Sequence, residues 1–348
     1  LALALMVLGC LGILLASNLA SYPGVLVGLF VLAGGITVLQ VAANPLAAAL
    51  GAPERSHFRL TLSQAFNSLG TVLGPLIGAH LFLQGLATGR PKILDTAARK
   101  TALHAIDGAF LGIAVLILML AGLIWAMRGR LRDAVAVPLA GYSIGTALRQ
   151  AITSRWTLLG GAAIFLYVGA EVSIGTQMAL FLHDGNIWDM PLQRAGYYVS
   201  LYWLGAMLGR FAGSALLIVL PAARLLAIAT AIAALLCIVV VTVGGVTAGY
   251  AALAVGLFNS IMFPTIFTLT LERSEGATEA TSGFLCLSII GGAFLPLLAG
   301  SISDFAGYQT SFIVPAICYV CLCIFALLAA RTVNRLASAD GPSFTAVH

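Results

Sequence analysis

Four amides sit where a membrane helix would not carry them by chance. Gln40 and Asn44 stand four residues apart, and Gln64 and Asn67 three apart, each pair inside an apolar run. On helices each pair shares one face, and Thr37 and Thr71 extend the two stripes. An amide offers an acceptor oxygen and a donor NH2, which suits a hydroxyl in either role and calls for no counter-charge. In hydrocarbon an unmet amide costs free energy, so such stripes face other helices or a wet cavity. One isolated amide reads best as glue between helices. Four on two consecutive runs read as the wall of a cavity for a neutral, hydroxyl-rich solute.

A carboxylate adds a second kind of chemistry. Glu171 is the one acidic residue in the middle of an apolar run. A charge at that depth costs about 3 kcal/mol on insertion scales, so such residues are seldom incidental. A role in binding solute or cation outweighs that of a neutral, hydrogen-bonded structural Glu. Tyr167, four residues earlier, shares its face, whereas Ser173 and Gln177 point elsewhere, so any further partner comes from another helix. Asn259 and Phe263, four apart, are placed to close the cavity from later in the chain. Arg210 beside Gly209, and Asp304 before Gly307, read as gate and loop geometry. His80 reads as a polar residue near an interface. Tyr197, Tyr198, Tyr202 and Trp203 could stack on a pyranose ring, but near a helix end they read first as interface anchors. No nucleotide-binding loop, metal spacing or nucleophile constellation is present, so no catalytic, metal or cofactor site is expected, and a pump driven by ATP or an intramembrane hydrolase is disfavoured.

The elements that hold these groups are helices in a bilayer. Of 348 residues, 61% are hydrophobic and 8% charged, which makes the chain an integral membrane protein. Its 38 Gly and 12 Pro let helices approach closely and bend. The net charge of +5 could suggest nucleic acid, but the 17 basic residues fall almost entirely in short connections and read as topology signals, so no nucleic-acid partner is expected. The six cysteines lie in apolar runs and read as small packing residues. No signal peptide is visible, and the chain opens at Leu1 inside an apolar run, so it is expected to be a fragment.

Ten apolar runs are long enough to span, at about 1 to 17, 23 to 51, 59 to 85, 107 to 127, 156 to 182, 195 to 219, 222 to 244, 247 to 271, 278 to 303 and 309 to 330. The stretch from Arg128 to Arg155 carries five Arg against one Asp and reads as a cytoplasmic linker between two halves. The expected organisation is an N-terminal half over residues 1–127, a linker over 128–155, a C-terminal half over 156–331 and a tail over 332–348. Alternate connections hold twelve and five basic residues; the richer set, with Arg210, the linker and the tail, is expected to be cytoplasmic, despite the cluster from Arg90 to Lys100 on the other side. The halves share a plan. Pro45, Glu54-Arg55-Ser56 and Pro75-Leu76 recur as Pro264, Glu272-Arg273-Ser274 and Pro296-Leu297. Same-sense repeats about a basic linker are what a major facilitator transporter shows. The expected fold is therefore an all-α membrane protein of the major facilitator kind, with ten of twelve transmembrane helices present and the first two missing.

Leu39 to Pro45, His57-Phe58-Arg59-Leu60 and Gln64 to Ser68 resemble the fucose/proton symporter family of the major facilitator superfamily, which includes glucose/galactose transporters. The likeness continues through Phe165 to Glu171, Leu208 to Phe211, Phe263 to Phe267, Ile289 to Gly292 and Gly300 to Gly307. It implies sugar uptake coupled to a cation, with Gln64 and Asn67 matching amides of the family's central cavity. Gln40 stands where the fucose branch has a Glu, Phe263 where it has a Tyr, and Glu171 where it has a Gln. That pattern looks closer to the glucose/galactose branch and makes L-fucose the less favoured substrate. The family's first-helix Asp, implicated in coupling, belongs to the part expected to be missing here, so it is not assigned.

The expected function is a secondary active transporter for a neutral hexose, driven by proton or sodium symport with alternating access. The alternatives are a sugar sensor on a transporter fold and an exporter of another small solute. The expected partners are a hexose, the coupling ion and the lipid bilayer of the inner membrane, with the protein a monomer and its C-terminus cytoplasmic.

Overall fold

The computed structural model describes residues 1–83, 96–129, 149, 152–275 and 277–332. Most of the basic linker, Arg90, Lys92 and the tail beyond Thr332 lie outside the described residues, as do the side chains of His80, Arg99 and Lys100. In hydrocarbon the backbone must satisfy its own hydrogen bonds, and the described spans are accordingly helical. They are α1 (Ala2–Asn18), α2 (Tyr22–Ala49), α3 (Ser56–Leu83), α4 (Thr96–Ala126), α5 (Arg155–His183), α6 (Leu192–Val219), α7 (Ala222–Val243), α8 (Gly245–Asn259), α9 (Met262–Arg273), α10 (Thr278–Leu287), α11 (Gly291–Ser311) and α12 (Ile313–Arg331).

Every run read from the sequence is helical over most of its described part; three are subdivided, that at 309 to 330 by the turn at Phe312 between α11 and α12. The run at 247 to 271 breaks into α8 and α9 at Ser260 and Ile261. Pro264 has no N–H to return to the Ser260 carbonyl, so a continuous helix would leave that oxygen bare. The run at 278 passes through a 3₁₀ turn at Ser288–Ile290 into α11, which extends to Ser311, past the sequence boundary at 303. Gly307, at φ 85°, interrupts its helical geometry. Only glycine takes that conformation without strain.

The chain forms two compact units, Leu1–Leu46 with Gly70–Leu139, and Ala47–Leu69 with Ala140–His348. In the first, α1 packs on α4 through Cys10, Ala114 and Ile117, flanked by Met6 and Phe110. Asn18 Nδ2 donates to Asp107 Oδ1 at 2.8 Å, closing one end of that pair. Much of the apolar surface of α4, including Leu116, Met119 and Trp125, is exposed, as a lipid-facing helix requires.

In the second unit α5 is the central element, contacted by α6, α8, α9, α10, α11 and α12. Ser154 caps it, its hydroxyl accepting from the Thr157 N–H at 3.4 Å. Small residues set how close its neighbours come. Gly205, Gly209 and Gly213, four apart on α6, face α8 and the break after it; a Cβ on Gly209 would collide with the Leu257 carbonyl. On α8, a Cβ on Gly256 would meet the Tyr202 backbone. This seam brings Arg210 and Tyr202 of α6 against Asn259 and Ser260.

Candidate functional site

Glu171 lies in the middle of α5, 9% exposed. Its Oε1 is 3.8 Å from Arg210 Nη2, an ion pair too long to be a hydrogen bond. Arg210 is held from three sides. Its Nε donates to the Ser260 carbonyl at 3.0 Å, and its Nη1 donates to the Ser68 hydroxyl and to the Gln64 carbonyl at 3.4 Å. The early turns of α3, belonging to the same unit, are thereby tied to α6.

A second chain of bonds runs beside this pair. Asn259 Nδ2 donates to Tyr202 Oη at 2.7 Å, and Tyr202 Oη donates to the Glu171 backbone carbonyl at 3.3 Å. Tyr202 and Asn259 are fully buried. The Tyr167 hydroxyl leans toward Glu171 and that of Tyr319 toward Asn259, but neither makes a hydrogen bond of ordinary geometry. Glu171 Oε1 and Asn259 Oδ1 are likewise buried without a hydrogen-bond donor. Buried polar atoms left so in a protein interior call for an explanation, and a ligand that supplies the missing partners is one. The wall is aromatic: the Phe263 ring lies 6.5 Å from that of Tyr167 and 6.0 Å from that of Phe267, and Trp203 packs edge-on to Tyr202 at 5.2 Å.

The residues singled out in the sequence are distributed as follows. Glu171, Asn259, Phe263, Tyr167 and Gln64 come together in the second unit. Asn67 is exposed one turn from Gln64 and donates to its Oε1 at 3.3 Å. Gln40, half-buried, and Asn44, buried, stand on the same part of α2 in the first unit. Ser173 and Gln177 are turned away, as expected: Ser173 donates to the Gly169 carbonyl, and Gln177 Oε1 accepts from Ser311 on α11 at 2.7 Å.

Two placements differ from the sequence reading. Arg210 lies within α6 and not in a connection, at ion-pair range of Glu171, so it joins the candidate site and drops out of the loop charges. Asp304 stands exposed on α11, because the helix continues to the Gly307 kink instead of ending at 303. The sequence also under-read Tyr202. Among the aromatics near the start of α6, Tyr197 is exposed as an anchor would be, while Tyr202 is buried at the site. The signal was its position on α6, two turns before Arg210.

A multi-helix membrane protein that buries a carboxylate, a guanidinium and undonated amide and carboxylate oxygens among its spans has the site of a transporter. The chain matches the Major Facilitator Superfamily over residues 1–285 and belongs to that superfamily. It is 38% identical over 325 residues to the glucose/galactose transporter of Brucella abortus, covering 93% of this chain and 76% of that one. It is 30% identical over 336 residues to the L-fucose-proton symporter of Escherichia coli, covering 92% of this chain and 75% of that one. A crystal structure of the Escherichia coli fucose:proton symporter superposes with a TM-score of 0.83 at 28% identity, over 95% of this chain and 83% of that one. These relatives are transporters and not enzymes.

Proposed function

We propose that the protein is a secondary active transporter taking up a neutral hexose of the glucose/galactose type, by proton or sodium symport with alternating access. The observation that carries this reading is the pair of buried, undonated acceptors Glu171 Oε1 and Asn259 Oδ1, set in an aromatic wall beside Gln64 and Arg210. A pyranose supplies several hydroxyl donors and an apolar ring face, which match both features. Arg210 offsets the charge of Glu171, so the site as a whole calls for a neutral solute. The 38% identity to a named glucose/galactose transporter supports the same substrate class.

In this reading Gln40, Asn44 and Asn67 are further sugar-binding residues, and Glu171 takes part in ion coupling. The segments 1–127 and 156–331 act as the two moving halves about the 128–155 linker. The protein works as a monomer in the inner membrane, with the connection before α3 and the C-terminal tail cytoplasmic. The test is counterflow of labelled glucose, galactose and fucose in proteoliposomes containing the complete natural protein. Counterflow of glucose or galactose supports the proposal. Saturable sugar binding without any counterflow would make the protein a sensor, and indifference to all three sugars would end the hexose reading.

A further inference from the structure

Two helices of the second unit carry matching polar faces. On α3, His57, Thr61, Gln64 and Ser68 recur every three to four residues, and on α9 Thr265, Thr268 and Glu272 do the same, so each set lies on one side of its helix. The faces are tied near both ends. At one, Glu272 Oε1 accepts from His57 Nε2 at 2.9 Å and from the Ser56 hydroxyl at 3.3 Å, and His57 Nδ1 abuts the Thr268 hydroxyl. At the other, the Arg210 guanidinium reaches from the Ser260 carbonyl, just before α9, to Gln64 and Ser68. Two stretches running in opposite directions and fixed in this way set Thr61 level with Thr265.

These two threonines depart from a local rule. Thr230, Thr268 and Thr270, buried in helices of the same unit, each return the hydroxyl proton to the carbonyl four residues back, at 2.8, 2.9 and 2.7 Å. Thr61 and Thr265 are fully buried, yet neither hydroxyl has a hydrogen-bond partner among the described residues. Buried hydroxyls of this kind are met by ordered water, which needs at least two polar partners. Here two such hydroxyls stand level with each other. Successive groups along the α3 face lie about one helical turn apart, ~5 Å, a gap that one water spans with a hydrogen bond on each side.

The seam has a source and an outlet. One end reaches Arg210, whose Nη2 is 3.8 Å from Glu171 Oε1. The other ends at His57 and Glu272, which with Glu54, Arg224 and Arg273 help line a cavity of about 450 Å3. A neutral His57 fits its place there. Its Nε2–H donates to the carboxylate and its Nδ1 accepts from Thr268, so the donors of Thr268 and His57 point in turn toward the cavity.

We propose that this seam is the route by which a proton leaves Glu171 for the cavity, with Thr61 and Thr265 holding the water that joins its two ends. Glu171 is the carrier here, resting on the proton-symport form of the reading above. Protonated Glu171 gives its proton to water beside Ser68 and becomes the carboxylate whose charge Arg210 offsets. Each water and hydroxyl then passes on one proton as it takes another. His57 takes one at Nδ1 and gives one from Nε2 to Glu272, which releases it to water in the cavity. Turning of the hydroxyls, and exchange of the ring protons with cavity water, restore the chain. Arg210, a fixed positive charge at the inner end, opposes the proton's return. At the mouth Glu54 and Arg224 are of opposite sign, and Arg273 is turned to α12, donating to the Ala329 carbonyl at 2.9 Å.

The test uses the complete natural protein in proteoliposomes with a pH-sensitive dye inside. Glucose or galactose added outside should drive protons inward with the sugar. Thr61→Val with Thr265→Val keeps the shape and removes both hydroxyls. Net sugar uptake and proton influx should then fall at least about fivefold, since positioned proton relays contribute that much and more. Exchange of labelled sugar at equal concentrations, in which Glu171 need not lose its proton, should stay within about twofold of native. Thr61→Ser with Thr265→Ser should restore net uptake, and Thr230→Val, off the seam, should change neither rate. Equal loss of exchange and net uptake makes the two threonines packing residues, and undiminished proton influx in the double Val variant puts the route elsewhere; either result overturns the proposal. If the double variant does not fold, the single Val variants decide by the same split. Sugar counterflow without proton influx in the native protein rejects proton symport itself, and the route with it.

Discussion

Arg210 Nε donates to the Ser260 carbonyl at 3.0 Å, the oxygen that Pro264, four residues on, cannot serve because it has no N–H. The break between α8 and α9 and the anchoring of the guanidinium are thus one arrangement. It leaves the rest of the Arg210 head free to face Ser68, Gln64 and Glu171. The helix defect positions the charge that makes a buried carboxylate tolerable.

From this follows the cost of removing the cation. Arg210→Met leaves Glu171 buried beside no positive group, and breaking a buried pair on one side destabilises by about 3 to 5 kcal/mol. Adding Glu171→Gln removes the stranded charge and should recover much of that loss. Denaturation of the single and double variants in lipid nanodiscs measures it. Equal stability of Arg210→Met and the double variant would show that the 3.8 Å pair contributes no net coupling.

The α6 and α8 seam gives a packing test with its own control. Gly209→Ala drives a methyl into the Leu257 carbonyl and should cost about 1 to 3 kcal/mol, through overpacking against backbone that cannot yield. Gly196→Ala, on the same helix with open space around it, should be neutral or stabilising by up to about 1 kcal/mol from helix propensity. Thermal unfolding of the two variants compares them directly, and a harmless Gly209→Ala would mean that the seam relaxes.

Much of this was legible in the sequence because it depends on distance along one chain. Apolar run length located the helices, and the period of 3.6 put Tyr167 on the face of Glu171, whereas the break at Ser260 and Ile261 separates Asn259 from Phe263. What periodicity does not carry is which helix faces which. Arg210 looked like one more basic residue near a connection until Gly205, Gly209 and Gly213 brought α6 onto α8 and aimed it at Glu171. The division of the 247 to 271 run was written in Pro264, yet a hydropathy count sees only an unbroken apolar stretch. The same limit hid the contact of His57 with Glu272, 215 residues later in the chain, the one read as part of a family motif and the other as part of an internal repeat.

The α3 amides separate binding from scaffolding. Gln64→Ala and Asn67→Ala in the complete natural protein should each weaken hexose binding by about 1 to 3 kcal/mol, since each leaves a substrate hydroxyl or partner amide unmatched. Exposed Asn67 should do so without loss of stability. Calorimetric titration with glucose or galactose, beside a melting curve, distinguishes the outcomes. Unchanged affinity with lowered stability would make the pair interhelical glue.

Glu171 offers the sharpest division between holding sugar and coupling it to an ion. Its Oε1 is buried, lacks a hydrogen-bond donor among the described residues and sits at ion-pair range of Arg210, so it can accept from a sugar hydroxyl or take up a proton or cation. Glu171→Gln preserves shape and an acceptor oxygen but cannot titrate. It should retain exchange of labelled sugar across proteoliposomes and lose most gradient-driven accumulation. Glu171→Ala removes the acceptor and leaves Arg210 without its counter-charge, so exchange and accumulation should both fall. Exchange is measured with equal sugar and ion on both sides, where no driving force is needed, and accumulation under an imposed proton or sodium gradient. If Glu171→Gln accumulates sugar as well as the native protein under both gradients, coupling belongs to another acid and Glu171 only binds. If it loses exchange as completely as Glu171→Ala, the charge itself is required for sugar to bind.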